Sequence, residues 1–124
     1  MNDKPTPAAP DVLAELRFKL RRFAAERDWD QFHSPKNLAM ALSVEVAELL
    51  EHFQWLSDAQ SSALNPETRV KVAEELADVL LYLVRLADKL DVDLAVAALE
   101  KLKLNATKYP ANKARGSSKK YSEL

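Results

Sequence analysis

Apolar residues recur at helical spacing along most of the chain. Leu13, Leu16, Leu20 and Phe23 share one face of a helix that Asp11 would cap and that is predicted to run to about Arg27. Ser34-Pro35 sets a capping hydroxyl before a proline at the first helical position, where the missing N–H is harmless. A second helix is therefore expected from Pro35 to about Leu56, with Leu38, Leu42, Val46, Leu49, Phe53 and Leu56 as its core stripe. Asn65-Pro66 repeats the device and opens a third helix to about Leu90; Asp91 or Asp93 caps a fourth, which Pro110 ends. No segment alternates with a period of two, and Gly116 is the only glycine. The fold class is all-α, a four-helix bundle-like arrangement.

Polar residues interrupt this pattern in two places. Glu45 and Glu48 on the second helix, and Glu75 and Asp78 on the third, form doublets three residues apart, so each pair lies on one helix face. Surface helices usually place a cation four residues from an acid, yet the residues four positions on are Leu49, His52, Val79 and Tyr82. Carboxylates crowded beside apolar surface repel unless a positive charge sits between them, and a hard divalent cation is the simplest candidate. The doublets thus predict a metal site shared by two helices. Oxygen-only ligation favours Mg²⁺ or Mn²⁺, and the absence of any Glu-x-x-His pair argues against a di-iron carboxylate centre.

Composition narrows the possibilities further. The 124 residues suggest one domain, and with no cysteine there is neither a disulfide framework nor a thiolate zinc site. Residues 2–10 are rich in proline and alanine and are expected to be disordered; a helical domain over 11–110 and a basic tail over 111–124 complete the predicted organisation. The N-terminus has no apolar signal core, and the hydrophobic stretch Val79–Ala87 is short and carries Arg85, so no membrane span and a cytoplasmic location are expected. From residue 101 onward Lys101, Lys103, Lys108, Lys113, Arg115, Lys119 and Lys120 face a single acid, Glu123, whereas the preceding residues are net acidic. An acidic body argues against a nucleic-acid polymer as partner; a small polyanion bridged by metal to the carboxylates would use both charge signs.

The order Glu45-x-x-Glu48 then Glu75-x-x-Asp78 resembles the MazG-like nucleotide pyrophosphohydrolases. The stretches AAERDWDQFHSPKN, EVAELLEHFQW, EELADVLLYLVRLA and KYPANKARGSSKKYSEL are similar to the subgroup containing the dCTP pyrophosphatases. The resemblance implies a MazG-type fold that hydrolyses a nucleoside triphosphate, dCTP or a modified dCTP, to the monophosphate and pyrophosphate. It also implies that Glu45, Glu48, Glu75 and Asp78 hold Mg²⁺; a carboxylate not fully engaged by metal accepts a water proton better, which makes Glu45 or Glu48 the candidate base. Water attack on a triphosphate needs cations on the phosphate oxygens. With no glycine-rich cradle, basic side chains must help: Lys108, Lys113, Arg115, Lys119 and Lys120 are available, and by resemblance Lys108-Tyr109-Pro110 and the tail close over the triphosphate.

An aromatic face can stack a base, and Trp29 and Trp55 are the only tryptophans; core packing is their other use. The resemblance assigns both to the base pocket, with Tyr82 lining it and Asn105 contacting the nucleotide. His33 either caps a helix or touches ligand. Where this chain has Leu20, subgroup members can carry histidine, which bears on the preference for dCTP. Two other classes share these features: a nucleotide sensor without turnover, and a helical protein-interaction module. Finally, the leucine stripe of the second helix and the arc Val72, Leu76, Val79, Leu80, Leu83 and Leu90 on the third exceed what four helices can cover, so a homo-oligomer is expected. Symmetry makes a dimer the minimum, and the resemblance implies a tetramer built as a dimer of dimers.

Overall fold

The computed structural model describes residues 11–124; the expectation for residues 2–10 lies outside them. The described residues form helices only: α1 (Val12–Glu26), α2 (Pro35–Glu51), α3 (Asp58–Ser61), α4 (Pro66–Lys89), α5 (Leu94–Lys108) and α6 (Ala111–Ala114), with single 3-10 turns at Asp30–Phe32 and Tyr121–Glu123. The chain divides into two compact units after Asp91, so the expected boundary near Pro110 falls inside the second unit.

Every long helix begins where the capping residues indicate. The side chains of Asp11, Ser34, Asn65 and Asp93 accept from the backbone N–H groups of Ala14, Asn37, Thr68 and Val96. Asp93, not Asp91, caps α5; Asp91 follows α4 with a positive φ of 55°. The second helix stops at Glu51 instead of Leu56, a correction to the sequence reading. Ser57 and Gln60 form a capping box that starts α3, so the chain must turn between Glu51 and Ser57.

In the first unit α4 packs mainly on α2 and to a lesser extent on α1. Leu38, Val72, Val84, Ala87 and Ala24 are buried, with Leu38 only 1% exposed. Val46 and Leu56, expected in the core stripe of the second helix, are exposed in the single chain, as are Leu76, Leu80, Leu83 and Leu90 of the apolar arc, because α1 and α2 cover only part of the circumference of α4. Phe23, expected inward, is 44% exposed; Arg27 lies over its ring, 3.6 Å from the centroid. In the second unit α5 leads to the short α6, and the C-terminal turn brings Tyr121 edge-on to Tyr109 at 6.0 Å.

Candidate active site

The acidic residues of α2 and α4 meet because these two helices are each other's main neighbours. Carboxylate oxygens of Glu45, Glu48 and Glu75 lie within 4.8 Å of one another. Asp78, one turn beyond Glu75, stands outside this triad, and its charge still acts on Glu45. Oε2 of Glu45 and Oε2 of Glu75 are buried without a hydrogen-bond partner among the described residues. Desolvation, followed by the neighbouring Glu48 carboxylate and the charges of Asp78 and Glu75, pushes the Glu45 pKa up to about 7. His52, at the end of α2, approaches Glu75, with Nε2 3.8 Å from Oε1.

Asp78 also faces a cavity of about 190 Å³ walled by Leu20, Phe23, Trp29, His33, Tyr82 and Arg85. Local structure places Trp29 there. After α1, Asp28 takes a left-handed conformation (φ 53°), Asp28 N–H donates to the Ala25 carbonyl at 3.1 Å, and Trp29 N–H donates to Ala24 at 2.9 Å. This is a Schellman ending, and its accompanying apolar contact is Trp29 against Phe23, edge-on at 5.7 Å. Aspartate tolerates the left-handed region better than most residues, which suits it to a position where glycine is usual.

The side chains expected at the site therefore fall into four groups. Glu45, Glu48 and Glu75 converge, and Asp78, Tyr82, Trp29 and His33 line the adjoining cavity. Trp55 lies in the turn after α2, 87% exposed and outside that cavity. Asn105, Lys108, Tyr109, Arg115, Lys119 and Lys120 belong to the second unit, where the Lys108 ammonium sits 5.0 Å from the Tyr121 ring centroid. Among the described residues, none of these four cations is paired with an acid.

Arg85 is the cavity residue that the sequence reading used only to argue against a membrane span. Its side chain is buried and pairs with Asp30 and His33. A lone cation inside the run VLLYLVRLA was its signal, because a buried charge requires partners.

Comparison with known proteins assigns the family. A family model described as MazG-like matches residues 40–124. The chain belongs to the MazG-like family, in its dCTP pyrophosphatase-like branch. It is 50% identical to dCTP pyrophosphatase 1 of Homo sapiens over 91% of its own length and 68% of that protein's, and 49% identical to the Rattus norvegicus protein over the same shares. The crystal structure of a pyrophosphatase from Archaeoglobus fulgidus superposes with a TM-score of 0.77 at 40% identity, covering 85% of this chain and 98% of that one. No helix among the described residues is long and apolar enough to cross a membrane.

Proposed function

We propose that this protein is a nucleoside triphosphate pyrophosphohydrolase that converts dCTP, or a modified dCTP, to the monophosphate and pyrophosphate with Mg²⁺, or Mn²⁺ in its place. The observation that carries the reading is the acidic triad: two of its oxygens are buried without donors, next to an aromatic cavity. Its relatives' names, dCTP pyrophosphatase 1, support the same substrate class.

The residues fit a hard divalent cation. The donor set is all oxygen, and the orphaned Oε2 atoms of Glu45 and Glu75 need a positive partner. Glu45, Glu48 and Glu75 would hold the ion, with Asp78 beside them. Bound there, it would neutralise phosphate charge and lower the pKa of a water. Glu45 or Glu48 would accept the proton of the attacking water at a carboxylate oxygen that the ion leaves free.

Trp29 and Tyr82 are the proposed walls for the base, and Leu20 gives the same cavity an apolar side chain at the position where the resemblance allows histidine. Trp55, Asn105, Lys108, Tyr109, Arg115, Lys119 and Lys120 are proposed nucleotide contacts on chemical grounds: an exposed indole, an amide, a phenol and four cations. A cytoplasmic homo-oligomer, a tetramer in the fullest form, completes the reading. A panel of triphosphates incubated with Mg²⁺ tests it. dCTP and its modified forms should be turned over fastest, whereas binding without turnover would leave a sensor.

A further inference from the structure

The acidic centre of α2 and α4 has a single basic neighbour. Among the described residues no lysine, arginine or histidine pairs with Glu45, Glu48 or Asp78, and His52 alone pairs with Glu75. Lys71 stands four residues before Glu75 on α4, the spacing of helical ion pairs, yet it pairs with Glu67 at 3.8 Å. The side chains of His52 and Glu75 are only 23% and 20% exposed, so solvent screens their contact less than it screens a surface pair.

The imidazole is carried on ordered backbone. His52 keeps helical dihedrals (φ −71°, ψ −17°) at the end of α2, its N–H donates to the Leu49 carbonyl at 3.3 Å, and the N–H groups of Phe53 and Gln54 both donate to Leu50 at 2.9 Å. Beyond the acids the ring borders a groove lined by Leu56, Gln60, Leu64, Asn65 and Thr68. The amide oxygens of that groove are already engaged: Gln60 Oε1 accepts from Ser57 N–H at 2.9 Å and Asn65 Oδ1 from Thr68 N–H at 2.8 Å. Glu75 is the acceptor left for the ring, and its carboxylate is divided. Oε1 faces His52 Nε2 at 3.8 Å, whereas Oε2 is buried with no donor among the described residues.

We propose that His52 is the positioning residue of Glu75: an N–H at Nε2 holds Oε1 and leaves the buried Oε2 as the atom that meets the divalent cation. The inference rests on reading the triad as a metal site. Ligating carboxylates are oriented by hydrogen bonds from groups behind them, and His52 is the one basic side chain placed to do so here. At 3.8 Å the pair is still longer than a hydrogen bond, as such contacts often are before a ligand binds, and it should close when the ion loads. The neutral Nε2–H ring and the imidazolium both donate from this atom, so the role needs no change of charge.

The test uses the full chain and the metal alone. Titration calorimetry should show His52→Leu binding Mn²⁺ about ten- to a hundredfold more weakly than wild type, while His52→Gln, which restores an N–H donor, recovers part of the loss. Equal affinity in wild type and His52→Leu, or a loss that His52→Gln does not reduce, overturns the proposal. Two measurements on the wild type decide even where a variant folds poorly. Long-range proton–nitrogen NMR should show Nε2 protonated in the Mg²⁺-loaded protein, its proton moving downfield as Mg²⁺ is added; a bare Nε2 overturns the proposal. Pulsed EPR of the Mn²⁺-loaded protein should show no directly bound nitrogen, since a bound one would make His52 a ligand. A wild type that binds neither ion would contradict the metal site itself, whereas one that binds Mn²⁺ with no response at His52 overturns this proposal alone.

Discussion

Glu45 on α2 and Glu75 on α4 each bury an Oε2 atom that no donor among the described residues reaches, while their carboxylates approach within 4.8 Å together with that of Glu48. An arrangement of like charges with buried, unpaired oxygens costs the empty protein stability. A divalent cation offsets that cost, because each orphaned oxygen becomes a ligand.

Neutralising the triad should separate stability from activity. Glu75→Gln or Glu48→Gln removes a ligand charge and a source of repulsion, so the metal-free protein should keep its thermal midpoint or gain up to about 1 kcal/mol. Asp78→Asn should behave similarly. Metal affinity should drop by more than the roughly 10- to 100-fold that follows loss of a partner behind a ligand. Titration calorimetry with Mn²⁺ and paired melting curves check both; near wild-type activity in Glu48→Gln would exclude it from the site.

Acidity gives a second prediction. The folded-state pKa of Glu45, about 7, lies above the value of about 4.3 expected for an unfolded glutamate, so the folded protein binds the proton more tightly. In chelator, this residue's contribution is fully present below about pH 4 and is lost as pH rises through about 7. Asp30 and Asp88 act oppositely: their lowered pKa values add stability above the ordinary aspartate value that is lost as pH falls below it. Since Glu45 must release its proton to bind metal, Mg²⁺ affinity should climb with pH up to about 7 and then level. Melting curves across pH, with and without Mg²⁺, read both trends.

The two tryptophans should behave differently on removal. Trp29→Ala takes away a cavity wall and the contact with Phe23, and should weaken nucleotide binding by about 1–3 kcal/mol. Trp55 is almost fully exposed, so Trp55→Ala should change the stability of a monomer by no more than about 0.5 kcal/mol. Comparing nucleotide affinity and thermal midpoint for each variant separates base stacking from packing. Full affinity in both would place the base elsewhere.

Exposed apolar side chains on α2 and α4, among them Leu50 and Leu76 at 59% and 53%, should be covered by another copy. Light scattering at micromolar concentration should give at least twice the 13.9 kDa chain mass, and Leu76→Arg should lower it. A fully active species at the chain mass would rule out assembly as a requirement.

Helix starts were legible because capping residues and N1 prolines act locally: Asp11, Ser34, Asn65 and Asp93 each bond within their own first turn. The end of α2 was obscured by the apolar Phe53 and Leu56, which continue the helical period past the turn, although Ser57-x-x-Gln60 carried the signal of a new start. The convergence of Glu45, Glu48 and Glu75 could be anticipated because each doublet borders an apolar face, and apolar faces pack together. The Arg85–His33 contact spans 52 residues, and no local spacing encodes it. What the sequence did contain was an unexplained charge in an apolar run.

The most direct test of the account follows phosphorus NMR while dCTP is incubated with the protein and Mg²⁺. Wild type should yield dCMP and pyrophosphate in equal amounts, chelator should stop the reaction, and Glu75→Gln should show little product while remaining folded. Release of inorganic phosphate with dCDP, or undiminished turnover by Glu75→Gln, would contradict the assignment of this acidic centre as a pyrophosphohydrolase site.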